Sequence, residues 1–148
     1  MDSAVLIVCP HCLKTNRVPA EKPRLAARCG ACGKPIFERR PHAVDARAFE
    51  RHRAAGEVPL LVDVWAPWCG PCRAMAPMFE RAAAELEPHV RLLKLNADTE
   101  PELSSSLRVR AIPTLLLFHR GRELARTSGA MNVQALVDWT RGALDKAA

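Results

Sequence analysis

Six cysteines fall into three Cys-x-x-Cys pairs: Cys9 and Cys12 in "CPHC", Cys29 and Cys32 in "CGAC", and Cys69 and Cys72 in "CGPC". The spacing serves two kinds of chemistry. Two thiolates on one tight knuckle can grip a soft metal ion, or they can exchange two electrons as a dithiol and a disulfide. Context separates the pairs. The first two form C-x2-C-x16-C-x2-C, the pattern of a zinc site. Four thiolates complete a tetrahedron and leave no open position, so Zn²⁺ held by Cys9, Cys12, Cys29 and Cys32 is expected to be structural. Two redox pairs or two disulfides are the alternative. Gly30 and Gly33 are expected to shape a turn whose N–H groups point at sulfur. His11 lies inside the first knuckle and reads as an exposed loop residue, since four sulfurs already fill the site.

The third pair has no second pair beside it. Cys69 stands between the apolar run "PLLVDVWA" (59–66) and the amphipathic run "CRAMAPMFERAAAELE" (72–87). That places it at a helix N-terminus, where free N–H groups and the helix dipole favour a thiolate. Cys72, one turn further in, is expected to be more buried and to stay protonated until needed. Pro71 sits early in the helix, where its missing N–H costs little. Asp63 is a lone carboxylate inside the apolar run, so burial should raise its pKa.

These residues need elements to hold them. Residues 1–40 show little helical periodicity and read as short strands, "VLIV", "NRVP" and "PIFE", around two knuckles. So short a piece cannot build a sufficient core without a metal, whose binding is worth on the order of 10–16 kcal/mol. "RRPH" (39–42) reads as a junction between a ribbon module at 1–40 and a second domain at 41–148. There "HAV" is a short strand, and Asp45 is the N-cap of a helix "ARAFERHRAA" ended by Gly56. "PLLVDVWA" reads as a buried central strand. In the next helix Met75, Phe79, Ala82 and Leu86 form one apolar stripe, and Pro77 should kink it. "VRLLKLNAD" is a strand and "PELSSSLR" a short helix. "TLLLFHR" and "ELARTSG" form a hairpin around "RGR". "NVQALVDWTRGAL" closes the chain as a helix with Val133, Leu136, Val137 and Leu144 inward. The order β-α-β-α-β-α-β-β-α predicts an α/β fold, a mixed central sheet flanked by helices.

The 148 residues carry a net charge of +6. Residues 1–44 hold eight Lys/Arg against three Asp/Glu, and the remainder fourteen against thirteen. The basic excess therefore lies with the four N-terminal cysteines, where it offsets the net −2 of a zinc tetrathiolate. Only Phe37 stands there as a stacking aromatic, so no nucleic-acid partner is expected. No apolar run reaches the roughly 18 residues that span a bilayer, and "AVLIV" is too short for a signal peptide. The expected location is the cytoplasm, with no membrane partner. In a reducing compartment six cysteines point to metal binding or catalysis.

"PLLVDVWA" and "WCGPC" resemble the thioredoxin family, as do Pro77, "KLNAD" (94–98), "AIPT" (111–114) and Gly129. The resemblance covers about 43–146. With the cysteine-rich N-terminus, the whole chain is similar to the bacterial thioredoxin 2 type of that family. It implies a thioredoxin fold preceded by a zinc ribbon, and an enzyme that reduces disulfides in target proteins. Cys69 would be the nucleophile, Cys72 the resolving thiol, and Asp63 the proton acceptor for Cys72. Ile112–Pro113 would be a cis-proline turn that leaves the Ile112 backbone free to pair with an extended substrate segment. Trp68 and Gly129 would line an apolar docking surface, while Trp65 is left open between that surface and the core. Lys94 is expected either to pair with Asp63 or to lie exposed. Arg110 either favours acidic targets or is an ordinary solvated arginine. Electrons would come from NADPH through a flavoprotein thioredoxin reductase, because this chain has no dinucleotide fingerprint and needs no organic cofactor. The expected state is a monomer. The other reading of the N-terminal module is a redox-sensitive zinc switch or a partner-binding module.

Overall fold

The computed structural model describes residues 3–148. Two short strands, β1 (Val5–Val8) and β2 (Thr15–Val18), pair antiparallel at the N-terminus. Then follow β3 (His42–Val44), α1 (Ala46–Ala55), β4 (Leu60–Trp65), α2 (Gly70–Leu86), β5 (Arg91–Asn96), α3 (Pro101–Ser106), β6 (Thr114–His119), β7 (Arg122–Ser128) and α4 (Val133–Ala147). The second sheet runs β3-β5-β4-β6-β7. β3, β5 and β4 are parallel, and β6 and β7 are antiparallel additions. This is the expected mixed sheet, with β4 at its centre.

Strand parity sorts the core into two layers. Leu61, Leu92, Leu115 and Leu117 face Met75, Phe79, Ala82 and Leu86 of α2 and Leu136 and Val137 of α4. Leu60, Val62, Val64, Leu93, Leu95, Leu116 and Phe118 face the opposite way, onto Phe49 of α1 and Leu103 of α3. Asp63 shares the parity of Leu61 and so lies on the face that α2 covers.

Local chemistry sets most boundaries as expected. The Asp45 carboxylate caps α1 by accepting from the Ala48 N–H at 2.8 Å, and Gly56 ends that helix. The β6–β7 turn is tight, with Arg120 and Gly121 both at positive φ, 52° and 85°. α2 begins at Gly70, with Cys69 as its N-cap and Pro71 in its first turn, as expected. One expectation is corrected. "PIFE" is no strand. Pro35 has no N–H to continue a ladder, and the segment makes a single bridge, Arg28 to Pro35, before Ile36 and Phe37 turn inward.

The N-terminal ribbon packs on the end of the sheet where β4 and β5 begin. Its small core of Ile7, Val18, Ala27, Ile36 and Phe37 includes Val58, just ahead of β4. Leu6 and Glu57 tie the two parts together: the Leu6 N–H donates to Glu57 Oε1 and the Glu57 N–H to the Leu6 carbonyl, both at 2.8 Å. β4 then carries the chain away for six residues, about 17 Å, to the Cys69–Cys72 end.

Two histidines sit inside this packing. His52 of α1 is 2% exposed, and burial pushes its pKa from 6.5 down to about 3. His42 is pushed down to about 4, again mainly by burial. A depressed histidine pKa means that stability is complete above about pH 6.5 and drains as pH falls, because the unfolded chain takes up protons that the folded one refuses. Buried carboxylates with raised pKa values act in the opposite sense over the same range, so a single-site comparison is needed. Relative to the parent, His52→Leu should gain more than about 1 kcal/mol between pH 7 and pH 4.5, read by urea unfolding at each pH. A difference that does not change with pH would show that His52 is not held neutral.

Candidate functional site: a dithiol at one end of the sheet and four thiols at the other

Cys69 and Cys72 are joined as a disulfide, with Cα atoms 5.2 Å apart. The sulfur of Cys69 serves as the N-cap of α2, accepting from the Cys72 N–H at 3.2 Å. It therefore lies where the first free N–H groups of a long helix point, a position that stabilises negative charge. Both cysteines are largely buried, Cys69 at 5% and Cys72 at 2% exposure, in a small cluster with Ala66, Trp65 and Ile112.

Around this pair the surface is apolar and open. Trp68 is 67% exposed, its indole N–H held by the Asp98 carboxylate at 3.1 Å. Pro67, Gly70 and Pro71 are exposed beside it. Ile112–Pro113 is a cis peptide, and the Ile112 carbonyl lies 3.8 Å from the Cys69 sulfur. Pro113 is buried while Ile112 is half-buried. The Pro113 carbonyl accepts from the Gly129 N–H at 2.9 Å, which locks the two loops together. Gly129 has φ +103°, a backbone conformation that L side chains rarely adopt. Trp68 is thus next to Cys69 in the chain, Ile112 approaches the Cys69 sulfur, and Pro113 and Gly129 are joined to each other behind Ile112. Arg73 donates to the Pro67 carbonyl at 2.9 Å, and Arg110 is exposed.

Asp63 is 1% exposed, and neither carboxylate oxygen has a hydrogen-bond partner among the described residues. Burial pushes its pKa from 3.8 up to about 7, opposed only by the charge of Lys94. Lys94 is the cross-strand neighbour of Asp63, but its ammonium lies over the Trp65 ring, 4.6 Å from the centroid. Of the two alternatives for Lys94, neither describes it fully: it is half-buried and makes a cation–π contact. Trp65 is half-buried, packing against the cysteine cluster and stacking with Lys94.

At the far end of the sheet the sulfurs of Cys9, Cys12, Cys29 and Cys32 lie within 4.8 Å of one another. Cys9 to Cys32 is 3.7 Å and Cys12 to Cys29 is 3.5 Å. A tetrahedral ion with zinc–sulfur bonds near 2.3 Å has sulfur edges of about 3.8 Å, so the donor set fits. The two knuckles are near copies. Leu13 and Gly33 both take positive φ and donate to the carbonyls of Cys9 and Cys29, each at 2.9 Å. The turn that Gly30 and Gly33 shape does point an N–H group at sulfur, as expected: that of Ala31, at 3.4 Å from the Cys29 sulfur, and the His11 N–H does the same for Cys9 in the first knuckle, also at 3.4 Å. Gly30 donates instead to Asn16 Oδ1, and the Asn16 amide reaches the Cys29 sulfur at 3.5 Å. Asn16 was not legible as a site residue, because nothing in its sequence neighbourhood marks it. His11 is not a free loop residue either: its ring nitrogen lies 2.6 Å from Glu38 Oε1.

A disulfide at a helix N-terminus, facing a cis-proline loop at the end of a mixed sheet, defines a thiol–disulfide oxidoreductase. Comparison with known proteins agrees. Residues 40–142 match the Thioredoxin family and residues 8–34 match the family described as Thioredoxin 2, N-terminal, a zinc ribbon. Thioredoxin C-3 of Corynebacterium nephridii is 38% identical over 135 residues, covering 91% of this chain and 92% of that protein. The thioredoxin of Synechocystis is 41% identical over 91 residues, 62% of this chain and 84% of that one. Among solved structures, chloroplastic thioredoxin z superposes with a TM-score of 0.65 at 26% identity, over 72% of this chain and 96% of that one. A thioredoxin variant from Halobacterium salinarum superposes with a TM-score of 0.64 at 27% identity, over 72% and 92%. The chain belongs to the thioredoxin family. It is a protein-disulfide reductase that works by dithiol–disulfide exchange through Cys69 and Cys72.

The isolated carboxylate has a measurable signature. A raised carboxyl pKa contributes stability below the unfolded value that is lost as pH rises through about 7. Asp63→Asn should therefore stabilise the oxidised protein more at pH 8 than at pH 5, by on the order of 2 kcal/mol in urea unfolding. An equal effect at both pH values would mean that Asp63 is solvated or paired.

Proposed function

We propose that Cys69 is the attacking thiol, Cys72 the resolving thiol and Asp63 the proton acceptor. The position of the Cys69 sulfur as the N-cap of α2 is the observation that carries this reading. In the reduced protein the Cys69 thiolate attacks one sulfur of a target disulfide. A Cys69–target bond forms, the target's sulfur–sulfur bond breaks, and one target thiolate leaves. The Cys72 proton passes to Asp63, directly or through a water, and the Cys72 thiolate attacks the Cys69 sulfur. The Cys69–Cys72 bond forms and the second target thiolate is released. Two electrons have moved to the target, and the enzyme is left as the disulfide seen here. A carboxylate titrating near neutrality without a hydrogen-bond partner suits this step, since it can take a proton and return it without a large energy gap.

Trp68, Ile112, Pro113 and Gly129 form the target-docking surface in this reading. An extended target segment pairs with the Ile112 backbone, and its disulfide meets Cys69. A flavoprotein thioredoxin reductase returns two electrons from NADPH to the Cys69–Cys72 disulfide. The enzyme acts as a monomer in the cytoplasm. No helix among the described residues is long and apolar enough to cross a membrane.

In the same proposal residues 1–40 form a zinc-binding ribbon and residues 41–148 the thioredoxin domain. Cys9, Cys12, Cys29 and Cys32 hold one structural Zn²⁺. The ion cross-links the two knuckles and supplies folding free energy that the ribbon's small apolar core lacks. The backbone N–H groups of His11 and Ala31 and the Asn16 amide neutralise part of the thiolate charge.

Two variants test the thiol roles. Cys69→Ser should abolish reduction of insulin by dithiothreitol or by NADPH and reductase, a loss of at least about 10³-fold. Cys72→Ser should instead accumulate mixed disulfides with targets, seen as bands on non-reducing gels that collapse with reductant. Turnover retained by Cys69→Ser, or the absence of adducts with Cys72→Ser, would overturn the assignment. Metal analysis of the purified protein should give one zinc per chain, and replacement of Cys9 by Ser should lower it.

A further inference from the structure

The sequence places a cation, Arg91, at the start of β5, and the structure buries it to 1% exposure. Its surroundings come from both parts of the chain. From the thioredoxin part, Glu87 Oε2 accepts from Nη1 at 3.5 Å. From the ribbon, Nη2 donates to the carbonyls of Val8 at 3.2 Å and Ile36 at 2.9 Å, and the guanidinium lies over the Phe37 ring, 4.3 Å from its centroid. Glu87 is equally buried, and its other oxygen accepts from the Arg39 N–H at 2.8 Å. Val8 immediately precedes Cys9, and Ile36 follows the second knuckle by four residues. One guanidinium therefore grips the chain just outside both halves of the four-cysteine cluster.

Neither part satisfies its own buried groups alone. Without the ribbon, Arg91 keeps only one long contact to Glu87 for its five donors, in a site made for burial. Without Arg91, the ribbon is left with two buried carbonyls without partners and a core of a few side chains that cannot hold itself together. Contacts by Glu57 with Leu6, and by Arg51 with the Leu13 carbonyl at 2.9 Å and the Thr15 hydroxyl at 2.7 Å, continue the same seam. We propose that the buried Arg91–Glu87 pair makes the ribbon and the thioredoxin domain one cooperative unit, so that metal held by the four cysteines stabilises the redox domain at the opposite end of the sheet. Metal that binds only the folded ribbon then shifts the folding equilibrium of the whole chain. Loss of the metal, by chelation or by oxidation of its thiolates, shortens the life of the catalytic fold without touching Cys69 or Cys72. The inference rests on the zinc reading above for its ligand, but the Arg91 joint can be tested without it.

The chain carries its own separate reporters. Trp65, Trp68 and Trp139 all lie in the thioredoxin part, so tryptophan fluorescence follows that part, while a chromogenic chelator follows zinc release from the ribbon. In the full-length parent, tryptophan unfolding and zinc release should share one urea midpoint, and prior removal of zinc should lower the tryptophan midpoint. Arg91→Met, which strands Glu87, should lose zinc to excess chelator about tenfold faster or more and should lower the tryptophan midpoint. Arg91→Met/Glu87→Gln, which removes both charges, should recover part of the tryptophan midpoint but still release zinc early, because the Val8 and Ile36 carbonyls remain unpaired. Zinc removal that leaves the tryptophan transition unchanged in the parent would overturn the proposal, and this arm needs no variant to fold. Zinc loss from Arg91→Met at the parental rate would overturn it as well. Protein that purifies without zinc would sink the metal reading alone. The joint would then be read from the two buried ribbon thiols, Cys9 and Cys29, in a background where Cys69, Cys72 and the exposed Cys12 and Cys32 are replaced by Ser. Their reaction with a thiol reagent should coincide with tryptophan unfolding when Arg91 is present and precede it in Arg91→Met. Reaction ahead of unfolding with Arg91 intact would refute the joint.

Discussion

The pairing of β4 between β5 and β6 is the constraint on which the rest of this structure depends. A strand hydrogen-bonded on both edges and covered on both faces has no room for water, so its side chains must be apolar or exceptional. Leu60, Leu61, Val62 and Val64 satisfy that rule, and Asp63 is the exception. The strand also fixes distance. Its first residue abuts the ribbon through Val58, and its last leads into Trp68 and Cys69. Metal-type and redox-type thiols are thereby held at opposite ends of one rigid element. The four-thiol cluster and the Cys69–Cys72 pair thus stand apart within one molecule, although all six cysteines belong to the same motif.

Charge inside this fold is handled in three ways. Asp63 is left without a partner, and its pKa rises to where a proton can be taken up or given away near neutral pH. His52 is held neutral by burial, its pKa pushed far below the ordinary range. Arg91 and Glu87 are paired, and the hydrogen bonds they cannot make to each other come from ribbon carbonyls and the Arg39 N–H. Burial disfavours charge at all of these positions, and the neighbours decide the result. A lone carboxylate has its titration moved toward neutrality, whereas a surrounded pair keeps hydrogen-bond partners from both parts of the chain. Buried pairs contribute little net stability compared with apolar replacements, but breaking one is costly. They are therefore better suited to specifying how two parts fit than to strengthening either part.

The ribbon and the surface beside the disulfide differ in where their rigidity comes from. In the ribbon, two near-identical knuckles present N–H groups of His11 and Ala31 to sulfur, with Asn16 bridging the second knuckle. At the catalytic end the cis-proline loop and the Gly129 loop are tied by a backbone hydrogen bond and by Thr114 to Ser128 at 2.9 Å. Exposed Trp68 is itself anchored through Asp98. An apolar surface held this firmly has little conformational freedom to lose on binding.

Local chemistry made much of this protein legible from its sequence. Cysteine spacing separated a metal-type cluster from a redox pair, and periodicity placed the helices and the strands of the large sheet. Asp45, Gly56 and the Arg120–Gly121 turn marked boundaries because caps and turns depend on one or two residues. The misjudged features depend on contacts distant in sequence. The "PIFE" segment has strand-like composition but no partner ladder beyond one bridge. Lys94, left open between pairing with Asp63 and lying exposed, lies half-buried over the Trp65 ring. Asn16 reaches the Cys29 sulfur from 13 residues away, so nothing local marked it. The sequence by itself determined how the six cysteines group and which elements hold them, because motif spacing and hydrophobic period act over a few residues. Only the tertiary structure decided that Arg91 joins two modules and that the two thiol sites stand at opposite ends of the sheet. Those facts follow from the packing of segments that lie some 50 to 80 residues apart.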